Sequence, residues 1–158
     1  LAGRRVGRRF TRASVAVGSQ TGAACGNGRR GRVGLGEGDE NPAAWPRIEA
    51  ALARLPVLRI FPDGGGHMNV SLADHGGGIL LVSQFTLFAD CRKGRRPSFI
   101  EGAPPAQSEP LYAFFVSEVE RQGIPVQTGT FGAEMQIELV NDGPVTIILD
   151  SEEIMPKK

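Results

Sequence analysis

The sequence predicts an α/β fold, a single domain spanning 1–158 with a mixed β-sheet, and three observations predict it. Apolar runs of strand length alternate with glycine-rich turns between residues 57 and 88. A segment of helical period follows near 108–122. Further strand-like runs close the chain at 126–128, 135–140 and 144–149. Hairpins on one side of a helix and more strands on the other imply a sheet with both antiparallel and parallel neighbours. With 158 residues the chain can bury a sizeable apolar core as one unit.

Taken in order, the first 40 residues are an atypical Gly/Arg-rich part. Arg12-Ala13-Ser14-Val15-Ala16-Val17 reads as a weak strand, and the glycines between 18 and 38 argue against long regular structure. Pro46 then opens a short helix, with Ile48, Ala51, Leu52 and Leu55 on one face and Pro56 ending it. Val57-Leu58-Arg59-Ile60-Phe61 is a strand candidate. The turn Pro62-Asp63-Gly64-Gly65-Gly66 leads to its hairpin partner, His67-Met68-Asn69-Val70-Ser71-Leu72. A turn over 75–78 introduces a buried strand at 79–84, and a basic loop runs from Arg92 to Phe99. Ser108-Glu109-Pro110 opens the amphipathic helix, which places Leu111, Phe114, Phe115 and Val119 inward. The last two strands, 135–140 and 144–149, are separated by Asn141-Asp142-Gly143, and the tail 151–158 is polar.

Composition excludes several classes. Cys25 and Cys91 are too few for a disulfide framework and lack a CxxC partner, so a zinc site is not expected and a reduced, cytoplasmic setting is. No run reaches the ~18–20 apolar residues that span a membrane, and the arginine-rich start lacks the apolar centre of a signal peptide. His67 and His75 both adjoin glycine-rich turns, leaving few options for a metal centre or a catalytic triad. Gly34-Leu35-Gly36-Glu37-Gly38 does not join a strand to a helix and is no dinucleotide fingerprint. The net charge of +1 conceals an asymmetry. Eight arginines and no acid precede Glu37, so the remainder carries −7. A basic arm on an acidic body can contact phosphates, or it can simply be a solvated terminus.

Two segments conflict with a purely structural reading. Ser83-Gln84-Phe85-Thr86-Leu87 follows the apolar run Ile79-Leu80-Leu81-Val82. Asn141-Asp142-Gly143-Pro144-Val145-Thr146 overlaps the apolar run that ends at Leu149. Polar residues that shape the backbone within otherwise buried strands mark candidate sites. Ser83 or Thr86 could act as a nucleophile, but no base adjoins them in sequence. The other readings are a strand end with satisfied hydroxyls, and an oxyanion site made of backbone N–H groups. Gly143-Pro144 is a tight turn or a cis peptide presenting fixed carbonyls and no side chain. Arg92, Lys93, Arg95 and Arg96, with Phe99 beside them, form a phosphate contact or a solvated charge run.

Together the two segments resemble the signature motifs of the D-aminoacyl-tRNA deacylases. Leu58-Arg59-Ile60-Phe61, Met68-Asn69, Arg95-Arg96-Pro97-Ser98-Phe99 and Thr128-Gly129-Thr130-Phe131-Gly132-Ala133-Glu134-Met135 follow in family order and spacing. The resemblance runs from Arg59 to Leu149. Before it, only Thr11-Arg12-Ala13-Ser14-Val15-Ala16-Val17 looks similar. Where the family has apolar strands this chain has Arg4-Arg5-Val6-Gly7-Arg8-Arg9-Phe10 and Gly28-Arg29-Arg30-Gly31-Arg32-Val33. Arginines are costly in a buried strand, so these segments are expected at an exposed edge or without fixed structure.

The resemblance implies a family fold with a barrel-like core and flanking helices. It implies a homodimer that hydrolyses D-aminoacyl-tRNA, and glycyl-tRNA, without metal or cofactor. Ser83, Gln84, Phe85 and Thr86 become the catalytic set, the N–H groups of Phe85 and Thr86 facing the oxyanion. Gly143 and Pro144 become a Gly-cis-Pro chirality gate inserted into the partner's pocket, with carbonyls towards the substrate amino group. Met68, Phe131, Ala133 and Met135 line the substrate or adenosine pocket, and Arg92, Lys93, Arg95 and Arg96 hold the tRNA. The 2′-hydroxyl of the terminal adenosine assists the attacking water. Two alternatives are a noncatalytic tRNA- or nucleic-acid-binding relative, and a serine or threonine hydrolase.

Overall fold

The computed structural model describes residues 4–18, 20–25, 30–36 and 54–150, with side chains described for 7–18 and 54–150. Its main feature is a six-stranded mixed sheet. Strand β1 is Arg4–Val17, β2 Gln20–Cys25 and β3 Arg30–Gly36. After a two-stranded hairpin, β4 (Phe61–Pro62) with β5 (Met68–Val70), come a one-turn helix α1 (Leu72–His75) and strand β6 (Ile79–Ser83). A 3₁₀ turn, Phe85–Phe88, precedes helix α2 (Pro105–Arg121), β7 (Val126–Thr128) and β8 (Gln136–Asp150).

β1 is the spine of the sheet. On one side it pairs with β8; on the other its first half pairs with β3 and its second half with β2, all antiparallel. β3 then pairs with β6 and β6 with β7, both parallel. The arginine-rich opening is therefore not an exposed edge. Arg4 to Phe10 has a hydrogen-bonded neighbour on each side. The glycine-rich stretch after it also holds two strands, because pairing with β1 supplies what local propensity does not.

β6 explains why one run can be apolar throughout. Ile79 and Leu81 join a cluster with Phe61, Leu72, Tyr112, Phe115 and Val119, on the face that α2 covers. Leu80 and Val82 join Phe10, Ala13 and Val15 on the other face, backed by Met135, Ile137 and Leu139. Alternate residues of a strand point to opposite faces, so a strand covered on both sides is apolar at every position. Burying each such side chain is worth roughly 1.5–3 kcal/mol.

α2 begins earlier than its sequence suggests. Pro105 occupies the first helical turn, and Pro110 lies inside the helix, not at its start. The inward residues are Tyr112, Phe115 and Val119, with Phe114 partly buried. The strand expected over 57–61 shrinks to Phe61–Pro62, since residues 54–57 form a turn; its partner is also shorter, because Leu72 opens α1. The helix expected after Pro46 lies almost wholly outside the described residues.

The largest departure is at β8. The two closing strands are one strand of 15 residues, with no turn between them. Both halves pair with β1 in the same sense, but Arg8 faces Thr146 while Phe10 faces Asn141. Residues 142–145 thus stand opposite Arg9 alone and form a bulge. Gly143 makes the excursion with φ +112°, a conformation that L side chains rarely adopt. All described peptide bonds are trans, so the expected cis Gly143–Pro144 bond is not present. The glycine dihedral and the shifted register accommodate the proline.

Candidate active site

Ser83 ends β6, where the sheet thins. β7 stays paired to β6 only as far as Leu81, leaving Ser83 paired to Leu35 of β3 alone. The Leu81 carbonyl marks this departure and accepts two hydrogen bonds, from Gly129 N at 3.0 Å and from the Tyr112 hydroxyl at 2.9 Å. Burial pushes Tyr112 up to about 12, so the hydroxyl remains a donor at neutral pH. The chain then turns into Phe85–Phe88. The turn's hydrogen bonds begin with Leu87 N to Gln84 O, so the N–H groups of Phe85 and Thr86 have no acceptor within it. Phe85 is 60% exposed. Gln84 donates its side-chain amide to the Thr86 hydroxyl.

No histidine bonds to either hydroxyl among the described residues. His67 lies 3.9 Å from Asp63 in the hairpin turn, and His75 stacks on Phe61 at 4.7 Å. Neither histidine is therefore placed as a base for a nucleophile at Ser83 or Thr86.

Gly143 and Pro144 form the exposed crest of the β8 bulge. Arg9 holds the base. Only 8% exposed, it donates from Nε to Asp142 O at 3.2 Å and from Nη1 to Ile60 O at 3.0 Å. Nε also lies 3.1 Å from the Asp142 carboxylate. A planar guanidinium with five donors can serve several fixed acceptors at once, which accounts for an arginine inside a sheet. Arg9 is the residue that sequence reasoning missed. Asp142 and Ile60 are 133 and 51 positions away, and nothing local distinguishes Arg9 from the arginines around it.

Within one chain the two motifs are not brought together. Following the pairing, Ser83 is level with Leu35, Arg5 and Leu149, whereas the bulge is level with Arg9, Gly31 and Ile79. They are three strand spacings apart across the sheet, about 14 Å, and four residues apart along it, about 13 Å. The other expected pocket residues are spread. Met68 is exposed on β5, and Phe131 packs against the α2-side cluster with its ring 5.8 Å from Tyr112. Met135 packs on the opposite face. Its sulfur would lie 2.6 Å from a Cβ at Gly129, which is why a glycine fits there. Ala133 sits in the intervening turn, its N–H 3.3 Å from Thr130 O.

The basic loop is exposed throughout residues 91–97 and is closed by paired backbone bonds between Asp90 and Ser98. Arg92 is tied to Asp90 at 2.8 Å and lies 3.8 Å from Glu101. Lys93, Arg95 and Arg96 have no ion-pair partner among the described residues. Phe99 meets Phe85 edge to face at 5.2 Å, so this loop adjoins the Ser83 motif. Hydrogen bonds from the Arg92 side chain, then from its backbone N–H, hold the Asp90 carboxyl down to about 2 from its usual 3.8. A lowered carboxylate stabilises the fold above its unfolded value, and that contribution is lost as pH falls through the folded one. Amide exchange at Asp90 and Ser98 is therefore expected to stay protected from neutral pH to about 4 and to open towards about 2. Opening on the neutral side would rule out this closure.

Comparison with known proteins gives first the class, the hydrolases that act on aminoacyl-tRNA, and then the family. Residues 6–150 match the family model described as D-Tyr-tRNA(Tyr) deacylase. The D-aminoacyl-tRNA deacylase of Thermomicrobium roseum is 50% identical over 147 residues, 93% of each chain. That of Solidesulfovibrio magneticus is 51% identical over 154 residues, covering 96% of this chain and 97% of its own. The solved c-Myc DNA Unwinding Element Binding Protein superposes with TM-score 0.82 at 38% identity, covering 92% of this chain and 97% of its own. A probable eukaryotic D-amino acid tRNA deacylase shares the fold, with TM-score 0.78 at 20% identity over 95% of this chain and 100% of its own. The chain belongs to the D-Tyr-tRNA(Tyr) deacylase family. The match begins at residue 6, so it includes all but the first two residues of the arginine-rich opening strand.

Proposed function

We propose that this protein hydrolyses the ester of D-aminoacyl-tRNA, and of glycyl-tRNA, as a cytoplasmic homodimer whose main chain does most of the chemistry. The observation that carries this reading is the bulge at 142–145, whose exposed crest is a glycine without a side chain followed by a rigid proline, held from below by a buried arginine. Such an element can reject by shape. An L side chain on the substrate would meet Gly143 and Pro144, whereas a D side chain or a hydrogen would not. Glycine therefore passes the same gate.

The separation of the two motifs within one chain favours a site completed by a second copy. The crest of one protomer would enter the pocket beside Ser83 of its partner. There the N–H groups of Phe85 and Thr86 face the oxyanion that forms as water adds to the ester carbonyl. Ser83 and Gln84 shape the strand end, and the carbonyls of the crest receive the substrate's amino group. Met68, Phe131, Ala133 and Met135 border the substrate and its adenosine. The terminal 2′-hydroxyl assists the water, and proximity on an activated ester suffices where no protein base is at hand. Lys93, Arg95 and Arg96, free of carboxylate partners among the described residues, take phosphates of the acceptor end.

The test compares D-Tyr-tRNA with L-Tyr-tRNA. Hydrolysis of the D form alone is expected; equal rates, or none with D, would sink the proposal. Thr86→Ala and Ser83→Ala are each expected to keep activity within about tenfold, because loss of a true nucleophile costs ~10⁴ or more. A drop of that size would instead establish a serine or threonine hydrolase. A second reading, a noncatalytic nucleic-acid-binding relative, is favoured by the free cations of the loop and by the name of the structural neighbour that binds DNA. Salt-sensitive RNA binding that survives Gly143→Ala, with no deacylation by the unaltered protein, would select it.

A further inference from the structure

Arg9 grips one end of the 142–145 bulge. A second side chain, Asn141, stands at its neck, where β8 leaves β1 and later rejoins it. The Asn141 amide faces two backbone carbonyls, Val145 O at 3.0 Å and Arg9 O at 2.8 Å, so the atom between them is the donor Nδ2. The amide oxygen then lies 3.4 Å from Oγ1 of Thr146, whose hydroxyl donates to it.

One amide thus joins three points: the β1 backbone, the far end of the bulge and the first residue at which pairing resumes. The crest cannot brace itself. Gly143 has no side chain and Pro144 no N–H. Arg9 secures Asp142, on the near side. Asn141 secures Val145, on the far side, and ties it to the same β1 residue through the Arg9 carbonyl. The bulge is clamped at both ends onto Arg9, once through its side chain and once through its main chain.

We propose that Asn141 is a positioning residue for stereochemical selection: its amide closes the neck of the bulge and sets how far Gly143 and Pro144 project towards the substrate. The inference rests on the reading of Gly143 and Pro144 as the element that rejects L substituents. Asn141 touches no reacting atom.

Asn141→Asp tests it, because aspartate has the same shape but puts an acceptor between two carbonyl oxygens. Full-length protein is assayed with D-Tyr-tRNA and L-Tyr-tRNA, and amide exchange is followed at Asp142, Gly143 and Val145. The ratio of kcat/KM for D over L is expected to fall at least about tenfold, with exchange at these amides faster by a similar factor. Asn141→Ala removes the donor without adding charge. It carries the same expectation and is read if the aspartate variant does not fold. A folded variant with the ratio and exchange of the unaltered protein would overturn the inference. If the unaltered protein does not discriminate D from L, the gate reading fails instead, and exchange alone still reports whether Asn141 closes the neck.

Discussion

Gly143→Ala is expected to lower kcat/KM for D-Tyr-tRNA by about 100-fold or more, with a smaller loss of stability. A Cβ at Gly143 would stand 2.7 Å from Nη2 of Arg9 and 2.8 Å from Cγ2 of Val145. One of these is the group that holds the bulge; the other is a β-branched side chain with little freedom to yield. The φ of +112° adds strain of ~1–3 kcal/mol for any L residue. The crest must therefore move, and displacement by about 1 Å at a positioning element costs about 100-fold in rate. The measurement is steady-state hydrolysis of D-Tyr-tRNA alongside a thermal melt. Near-native activity in a well-folded variant would remove Gly143 from the mechanism.

Arg9→Ala is expected to destabilise the protein more than any other single change at the site. Removing a buried cation leaves the Ile60 and Asp142 carbonyls without their donor and the Asp142 carboxylate without its counter-ion. Breaking a buried pair costs 3–5 kcal/mol in general, but the Asp142 side chain is 36% exposed and partly rehydrates. About 3 kcal/mol is expected, or a Tm lower by about 8 °C. Arg9→Lys keeps the charge but loses the planar fork, so it should recover only part of the stability. The D-to-L ratio should fall in both variants, since the near end of the bulge is released. A melt that matches the unaltered protein would show that the Arg9 contacts contribute nothing.

The parts of the fold legible in sequence are those whose signal is local. Ile79-Leu80-Leu81-Val82 is a buried strand on its own evidence, and Val126-Gln127-Thr128 forms the expected short strand. The period of Leu111, Phe114, Phe115 and Val119 marks the helix, although its start lies five residues before the proline taken to open it. The Ser83 and Gly143 motifs were visible as conflicts, polar groups set into apolar strands. Illegible were the features decided by a distant partner. The arginine-rich opening has poor strand character alone, yet it becomes an interior strand because β3 and β8 pair with both its edges. Asn141-Asp142-Gly143 has the composition of a turn, yet it sits in a bulge because both flanks pair with the same strand.

The sequence by itself marked the candidate residues, Ser83 to Thr86 and Gly143-Pro144, as backbone-shaping groups set into apolar runs. Residue types and motif spacing are properties of the chain, and they survive any arrangement of it. Only the tertiary structure decided that Gly143–Pro144 is a trans crest, clamped by Arg9 and Asn141, and that within one chain it stands well apart from Ser83. Register and burial depend on pairings between residues more than a hundred positions apart, and no local propensity encodes them.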